Sequence, residues 1–317
     1  MTRLGLGCAT FGREVDETKA FGLMDYAIEH GITLFDTAEA YGGGQARQQR
    51  RERFRIDDIR ETSGEFSSSE KIIGRWLRSR GARDKIQIVT KVSSGFQLEH
   101  VQMALEASLQ RLQVSHVDLY LCHAYDPTTA DYETSATFDA IIRSGLARRV
   151  GCSNYSGSQL QKALVQSQQL GHHGFTAIET PYNLLQQSED IFPVAAAYRL
   201  KVIAYSPLAA GFLSGKYTFD RACIPKGSRF DVSPAHADLY FSERNFRRVR
   251  LLAKLAERIG QPATLLAIAW ALQNPRVDTL LVGARSEEHI ANAIRAERMI
   301  FQEDWLREIN SWSDSPR

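Results

Sequence analysis

The apolar positions of this chain follow two alternating periods. Eight short runs, at residues 4–7, 32–35, 85–92, 117–122, 148–152, 175–179, 201–206 and 279–283, are dense in Val, Ile, Leu and aromatic residues. They show no helical repeat, so each predicts a strand. The stretches between them place apolar residues three and four apart. Residues 16–30 carry Ala20, Leu23, Met24, Ala27 and Ile28 on one stripe, and residues 69–80 carry Ile72, Ile73, Trp76 and Leu77. The same period predicts helices over 98–112, 132–144, 158–170, 189–198, 243–259, 262–273 and 286–295. Asp16 belongs to the N-cap class, Pro262 suits a first turn, and Gly31, Gly81, Gly145 and Gly171 stand at helix ends. The triple glycine at 42–44 predicts that no helix starts there.

A strand followed by a helix, eight times over, calls for a parallel sheet with helical crossovers. At 317 residues this favours an α/β fold closed into a (β/α)8 barrel, a TIM barrel. A doubly wound open sheet is the other arrangement. No G-x-G-x-x-G follows the first strand, which speaks against its dinucleotide-binding form. With no low-complexity linker, residues 1–317 read as a single domain. It carries an Arg-rich insertion at 45–68, a long loop at 207–240 and a helical tail at 303–317.

Composition narrows the partners. Apolar content of 43% and charged content of 24% are ordinary for a globular chain with a sizeable core. Thirty-nine Lys and Arg against 37 Asp and Glu give +2, which implies neither nucleic acid nor membrane. The N-terminus lacks the apolar run of a signal peptide, and no stretch approaches the roughly 18 apolar residues of a spanning helix. Cys8, Cys122, Cys152 and Cys223 have no paired spacing, as expected of reduced thiols in a cytoplasmic protein. His172–His173 has no third ligand at metal spacing, so no metal is expected.

Chemistry in such a barrel sits at the C-terminal ends of the strands. Those ends carry Asp36, Lys91, His123, Ser153 with Asn154, Glu179, Tyr205 with Ser206, and Arg285. Any one of them alone is an ordinary solvated loop group. Seven such tips, after strands that are mostly apolar, form a pattern. Tyr41 lies just beyond Asp36 in a glycine-closed turn. A free phenol ionises near ~10; the Lys91 ammonium is expected to lower that by roughly 1–3 units, with Asp36 as its counter-ion. His123 would hydrogen-bond a substrate oxygen beside Tyr41. Such a set protonates a carbonyl oxygen while its carbon is attacked. None of these residues supplies a hydride, so a cofactor must.

Nine segments, in the right order, resemble the aldo-keto reductases: LGLGCATFG from Leu4, DTAEAYG from Asp36, SEKIIG from Ser69, TKV from Thr90, VDLYLCH from Val117, GCSNY from Gly151, YNLL from Tyr182, AYSPL from Ala204 and GARS from Gly283. The resemblance implies a (β/α)8 barrel binding extended NADPH without a Rossmann domain. The family's catalytic tetrad carries over onto Asp36, Tyr41, Lys91 and His123, with Tyr41 as general acid. Ser153 and Asn154 would hold the nicotinamide carboxamide, and Tyr205 would stack on the ring. Ser206, Leu208 and Gly211 match the pyrophosphate segment. Arg285 falls where the family meets the adenosine 2′-phosphate, and Gly283, His289 and Asn292 complete the implied NADP(H) set. The implied activity is NADP(H)-dependent reduction of an aldehyde or ketone, a sugar-like or anionic carbonyl among the candidates.

Three departures stand out. Glu179 replaces a glutamine that commonly touches the carboxamide, and a carboxylate accepts but cannot donate. Asn292–Ala293 replaces a common Glu-Asn pair. The insertion carries Arg47, Arg50, Arg51, Arg53 and Arg55, with Glu52 the only acid among them. It reads either as a solvated, partly helical arm or subunit contact, or as a lid presenting arginines to an anionic substrate. Phe11, Phe96, Tyr125, Phe212 and Phe241 are expected to wall the active face. Trp270 belongs in the core by its spacing, and Trp305 and Trp312 either reach the mouth or pack. Two other classes stay open: a Schiff-base aldolase with Lys91 as nucleophile, and a cofactor-sensing regulatory subunit. The expected partner is a small-molecule carbonyl substrate, bound by a monomer or homo-oligomer.

Overall fold

The structure, a computed structural model, describes residues 2–312. Its strands are β1 (Leu4–Gly7), β2 (Leu34–Asp36), β3 (Gln87–Val92), β4 (Leu119–Cys122), β5 (Val150–Ser153), β6 (Ala177–Asn183), β7 (Gln186–Gln187), β8 (Lys201–Tyr205) and β9 (Thr279–Gly283). Eight of them pair in parallel in the order β5-β4-β3-β2-β1-β9-β8-β6, and β5 pairs with β6 to close the ring. The expected barrel is present. β7 is only a short antiparallel return against the end of β6.

The crossover helices also follow the sequence pattern. They are α1 (Glu17–Glu29), α2 (Gly43–Gln49), α3 (Ser68–Arg80), α4 (Leu98–Leu112), α5 (Asp131–Arg143), α6 (Gly157–Leu170) and α7 (Ile191–Ala197). After the long loop come α8 (Arg229–Val232), α9 (Ala235–Tyr240), α10 (Glu243–Arg258), α11 (Ala263–Gln273), α12 (Glu287–Glu297) and α13 (Glu303–Ser311). Asp16 caps α1 by accepting from the Lys19 amide at 2.9 Å, and Ser156 and Gln159 form a capping box on α6. The end of the expected tail, 313–317, lies outside the described residues.

Two cores result from the period of two along each strand. Val89, Leu119, Leu121, Ala177, Ile203 and Leu281, with Leu34 and Tyr205, fill the inside of the barrel as a separate cluster. The larger cluster lies between strands and helices and includes Phe35, Trp76, Tyr120 and Trp270, as expected for Trp270. The inside is narrow: a Cβ on Gly5 would stand 2.7 Å from Leu281 Cδ2. One step of two residues up the same faces leads from Leu34 to Asp36, from Val89 to Lys91, from Leu121 to His123, from Ala177 to Glu179 and from Ile203 to Tyr205. The upper layer of the interior is therefore polar by register.

Two local expectations fail. A helix does begin within the triple glycine, at Gly43. A Cβ there would lie 1.8 Å from Ser63 O, and one on Gly44 2.7 Å from Gly64 O. Those glycines admit a neighbouring backbone instead of breaking a helix. The loop at 207–240 is not bare either, because it holds α8, α9 and a kinked 3₁₀ segment at Ala209–Ser214.

Candidate active site

Asp36 at the end of β2, Tyr41 in the loop after it, Lys91 on β3 and His123 just beyond β4 meet at the barrel mouth. Lys91 is fully buried, and its ammonium donates to Asp36 Oδ2 at 2.5 Å and to Thr37 O at 2.9 Å. A second carboxylate, Glu179, places Oε2 3.4 Å from the same nitrogen. Tyr41 is fixed by its backbone, which bonds to Ala38 O at 3.0 Å and accepts from the Ser69 amide at the start of α3 at 3.1 Å. Its ring centroid lies 5.1 Å from Lys91 Nζ, and its hydroxyl lies 3.4 Å from His123 Nε2. A phenol, an imidazole and an ammonium thus share one site.

Their protonation follows from burial. Desolvation opposes the charge on Lys91, but the Asp36 and Glu179 carboxylates outweigh it and hold the ammonium above the usual lysine range. His123 is pushed down to about 3 by burial and by Lys91, so it is a neutral imidazole at ordinary pH. Glu179 is pushed up to about 8 by burial and by the Asp36 charge, against the pull of Lys91. Asp36 is also raised by burial, with Lys91 opposing. The expectation for Tyr41 is overturned. Burial raises its pKa, Asp36 and Glu179 add to the rise, and Lys91 does not offset them. The lysine's charge is already matched by its carboxylates, so Tyr41 keeps its proton and acts as a donor.

The expected cofactor residues fall into two groups. Near the tetrad, Ser153 is buried and in register with Glu179, and the Asn154 amide donates to Glu179 O at 3.0 Å. Asn154 adopts a left-handed backbone, φ 58°. Its side chain donates to His123 O at 2.8 Å and accepts from the Tyr205 hydroxyl at 2.6 Å, tying three strand tips together. Ser206 follows with φ 55°, and its carbonyl accepts from the Asn183 side chain. Farther along, Leu208 accepts from the amides of Gly211 and Leu213 in a turn where Gly211 has φ 88°. Gly283 ends β9, Arg285 Nη1 donates to Gly227 O at 2.9 Å, and the Arg285 amide donates to His289 Nδ1 at 3.1 Å. Asn292, one turn beyond His289 on α12, is buried, donates to Thr264 Oγ1 on α11 and accepts from Arg295.

A model of the Aldo/keto reductase family matches residues 3–314. The chain belongs to the aldo/keto reductase family. Members generally use nicotinamide cofactors, so this is a family oxidoreductase fold. An uncharacterized oxidoreductase of Bacillus subtilis, YrpG, is 30% identical over 332 residues, covering 100% of this chain and 93% of its own length. A probable voltage-gated potassium channel subunit beta of Oryza sativa is 30% identical over 301 residues, 90% of this chain and 84% of that protein. Protein tas of Escherichia coli is 28% identical over 343 residues, 98% of this chain and 94% of its own.

In this aldo/keto reductase the arginines of the insertion, read above either as a partly helical arm or as a lid, largely turn back onto the chain. Arg50 is fully buried, donates to Val232 O at 2.8 Å and Asp58 O at 3.0 Å, and pairs with buried Glu61. Arg51 faces Asp57, and Arg53 reaches Asp238 on α9. Phe11, Phe96 and Phe212 are core residues and not a free wall; Phe212 is the hub of an aromatic cluster with Tyr217, Tyr240, Phe241 and Phe246. His172 and His173 bond to Ser135 and Asp139, and among the described residues no group of three ligands suits a metal. Sequence reasoning missed a charged group at the far end of the site. Glu14 is buried, pairs with Arg13 and Arg229 and feels the charge of Arg285. Lys216 is held below the usual lysine range by partial burial and by Arg285. Arg13–Glu14 follows the tip of the first strand, which was the available signal.

Proposed function

We propose that this chain is an NADP(H)-dependent reductase of aldehydes or ketones, with Tyr41 as the general acid. The observation that carries the reading is the Tyr41 hydroxyl 3.4 Å from a neutral His123 imidazole and above the Lys91–Asp36 pair. The far group fits a phosphorylated dinucleotide. Arg285 and Lys216 supply two cations, and Gly211 and Gly283 leave their positions free of side chains. Ser153, Asn154 and Tyr205 would hold the ring end. A bound reduced nicotinamide supplies the hydride.

The residues of the chain do the rest. His123, neutral, offers one ring nitrogen to orient a carbonyl oxygen. Tyr41 gives its proton to that oxygen as negative charge develops there, and its raised pKa is still well below that of the alkoxide formed. Lys91 stays protonated and stabilises the resulting phenolate, worth roughly 10²–10⁴ in rate for positioned acid catalysis. Reduced, unpaired thiols at Cys8, Cys122, Cys152 and Cys223 agree with a cytoplasmic setting. Among the described residues no helix is long and apolar enough to cross a membrane.

The aldolase reading fits less well, because a Schiff base needs a neutral amine and two carboxylates keep Lys91 charged. The regulatory reading draws on the relatives named as channel beta subunits. Fluorescence titration with NADPH and NADH, followed by turnover on a carbonyl panel, decides among them. Tight NADPH binding with turnover supports the reductase, binding with negligible turnover favours the regulatory reading, and binding of neither nucleotide removes the proposal.

A further inference from the structure

The partners of Glu179 do not account for its charge. The carboxylate is buried on β6, and Oε2 accepts no hydrogen bond among the described residues. Its nearest cation, Lys91, sits 3.4 Å away and is already committed to Asp36 at 2.5 Å and Thr37 O at 2.9 Å. One ammonium against two carboxylates leaves an excess negative charge whenever both acids are ionised. The titratable groups facing Glu179 are Asp36 on β2, Tyr41 in the loop beyond it, Lys91 on β3 and Tyr205 on β8. None adds a second positive charge.

Position gives that surplus a use. Glu179 is in register with Ser153, and its carbonyl takes the Asn154 amide, so it belongs to the wall assigned to the ring end of the cofactor. A nicotinamide ring is a cation when oxidised and neutral when reduced. A buried unmatched carboxylate distinguishes the two; a glutamine of the same size does not.

We propose that Glu179 sets the redox preference of the cofactor site, its carboxylate favouring the oxidised, cationic ring over the reduced, neutral one. The inference rests on the nicotinamide reading above. Burial and Asp36 push Glu179 up to about 8, and the shorter Lys91–Asp36 contact leaves the shared proton on Glu179. The preference therefore grows as pH rises through that value.

The test measures dissociation constants of NADPH by fluorescence and of NADP⁺ by calorimetry, at pH 7 and pH 9, for the full chain and for Glu179→Gln and Glu179→Asp. In the unaltered protein the ratio of the NADPH constant to the NADP⁺ constant should rise roughly five- to tenfold between the two pH values. It should be flat in Glu179→Gln and should still rise in Glu179→Asp. A ratio independent of pH in the unaltered protein overturns the inference even if neither variant folds. Parallel slopes in the unaltered protein and Glu179→Gln overturn it too, with the reductase reading intact. If neither nucleotide binds the unaltered protein, the nicotinamide reading falls first.

Discussion

Lys91 and Arg50 are both fully buried cations facing buried carboxylates, yet they do opposite work. The terminal nitrogens of Arg50 bond within the insertion, to Asp58 O and Glu61, and tie it to α8 through Val232 O. Lys91 is surrounded by more chemistry than it can satisfy: two carboxylates, the Tyr41 ring at 5.1 Å and an imidazole beyond it. A buried charge marks a functional site when its surroundings leave a proton or a charge over. Where the hydrogen bonds close onto the chain itself, it marks a clasp.

The contrast can be broken or sharpened by mutation. Lys91→Ala should have the largest effect. It strands the Asp36 carboxylate, costs about 3–5 kcal/mol in urea unfolding, and lowers kcat by roughly 10²–10⁴. Arg50→Ala should cost about 3 kcal/mol by leaving Glu61 uncompensated, while the KM for an anionic aldehyde stays put. A raised KM with unchanged stability would restore the lid. Leu121→Ala, in the apolar layer directly beneath His123, should cost roughly 2–3 kcal/mol and leave kcat within a few-fold. A kcat loss as large as that of Lys91→Ala would erase the distinction between the layers.

The effect expected from Glu179→Gln depends on pH. The folded Glu179 carboxyl sits near about 8, above its value of ~4.3 in an unfolded chain. Its contribution to stability is complete below the unfolded value and is lost as pH rises through the folded one. The variant should therefore gain on the unaltered protein between pH 5 and pH 9, read as a change in urea midpoint. An unchanged difference across that range would show that Glu179 holds no proton.

Most of the fold, and the convergence of Asp36, Lys91 and His123 on one mouth, were legible because they depend on local period and register. Eight apolar runs predicted eight strands, and a step of two residues from Leu34, Val89 and Leu121 leads to Asp36, Lys91 and His123. What was illegible depends on distant neighbours. The depressed phenol expected from Lys91 ignored the burial of Tyr41, and then the charges of Asp36 and of Glu179, which arrives on β6. The burial of Arg50 requires Val232, 182 residues away in sequence. The helix starting at Gly43 requires the close approach of Ser63 and Gly12 backbone. No composition or spacing in the insertion encodes those contacts.

On the proposed mechanism one phenolic proton, that of Tyr41, is given to the substrate oxygen, and the groups around it hold it in place. Tyr41→Phe, assayed by steady-state turnover of a reducible carbonyl alongside NADPH titration, tests it most directly. The variant should show a fall in kcat of roughly 10²–10⁴ with the NADPH dissociation constant within twofold of the unaltered protein. Turnover that survives the loss of the hydroxyl would contradict it.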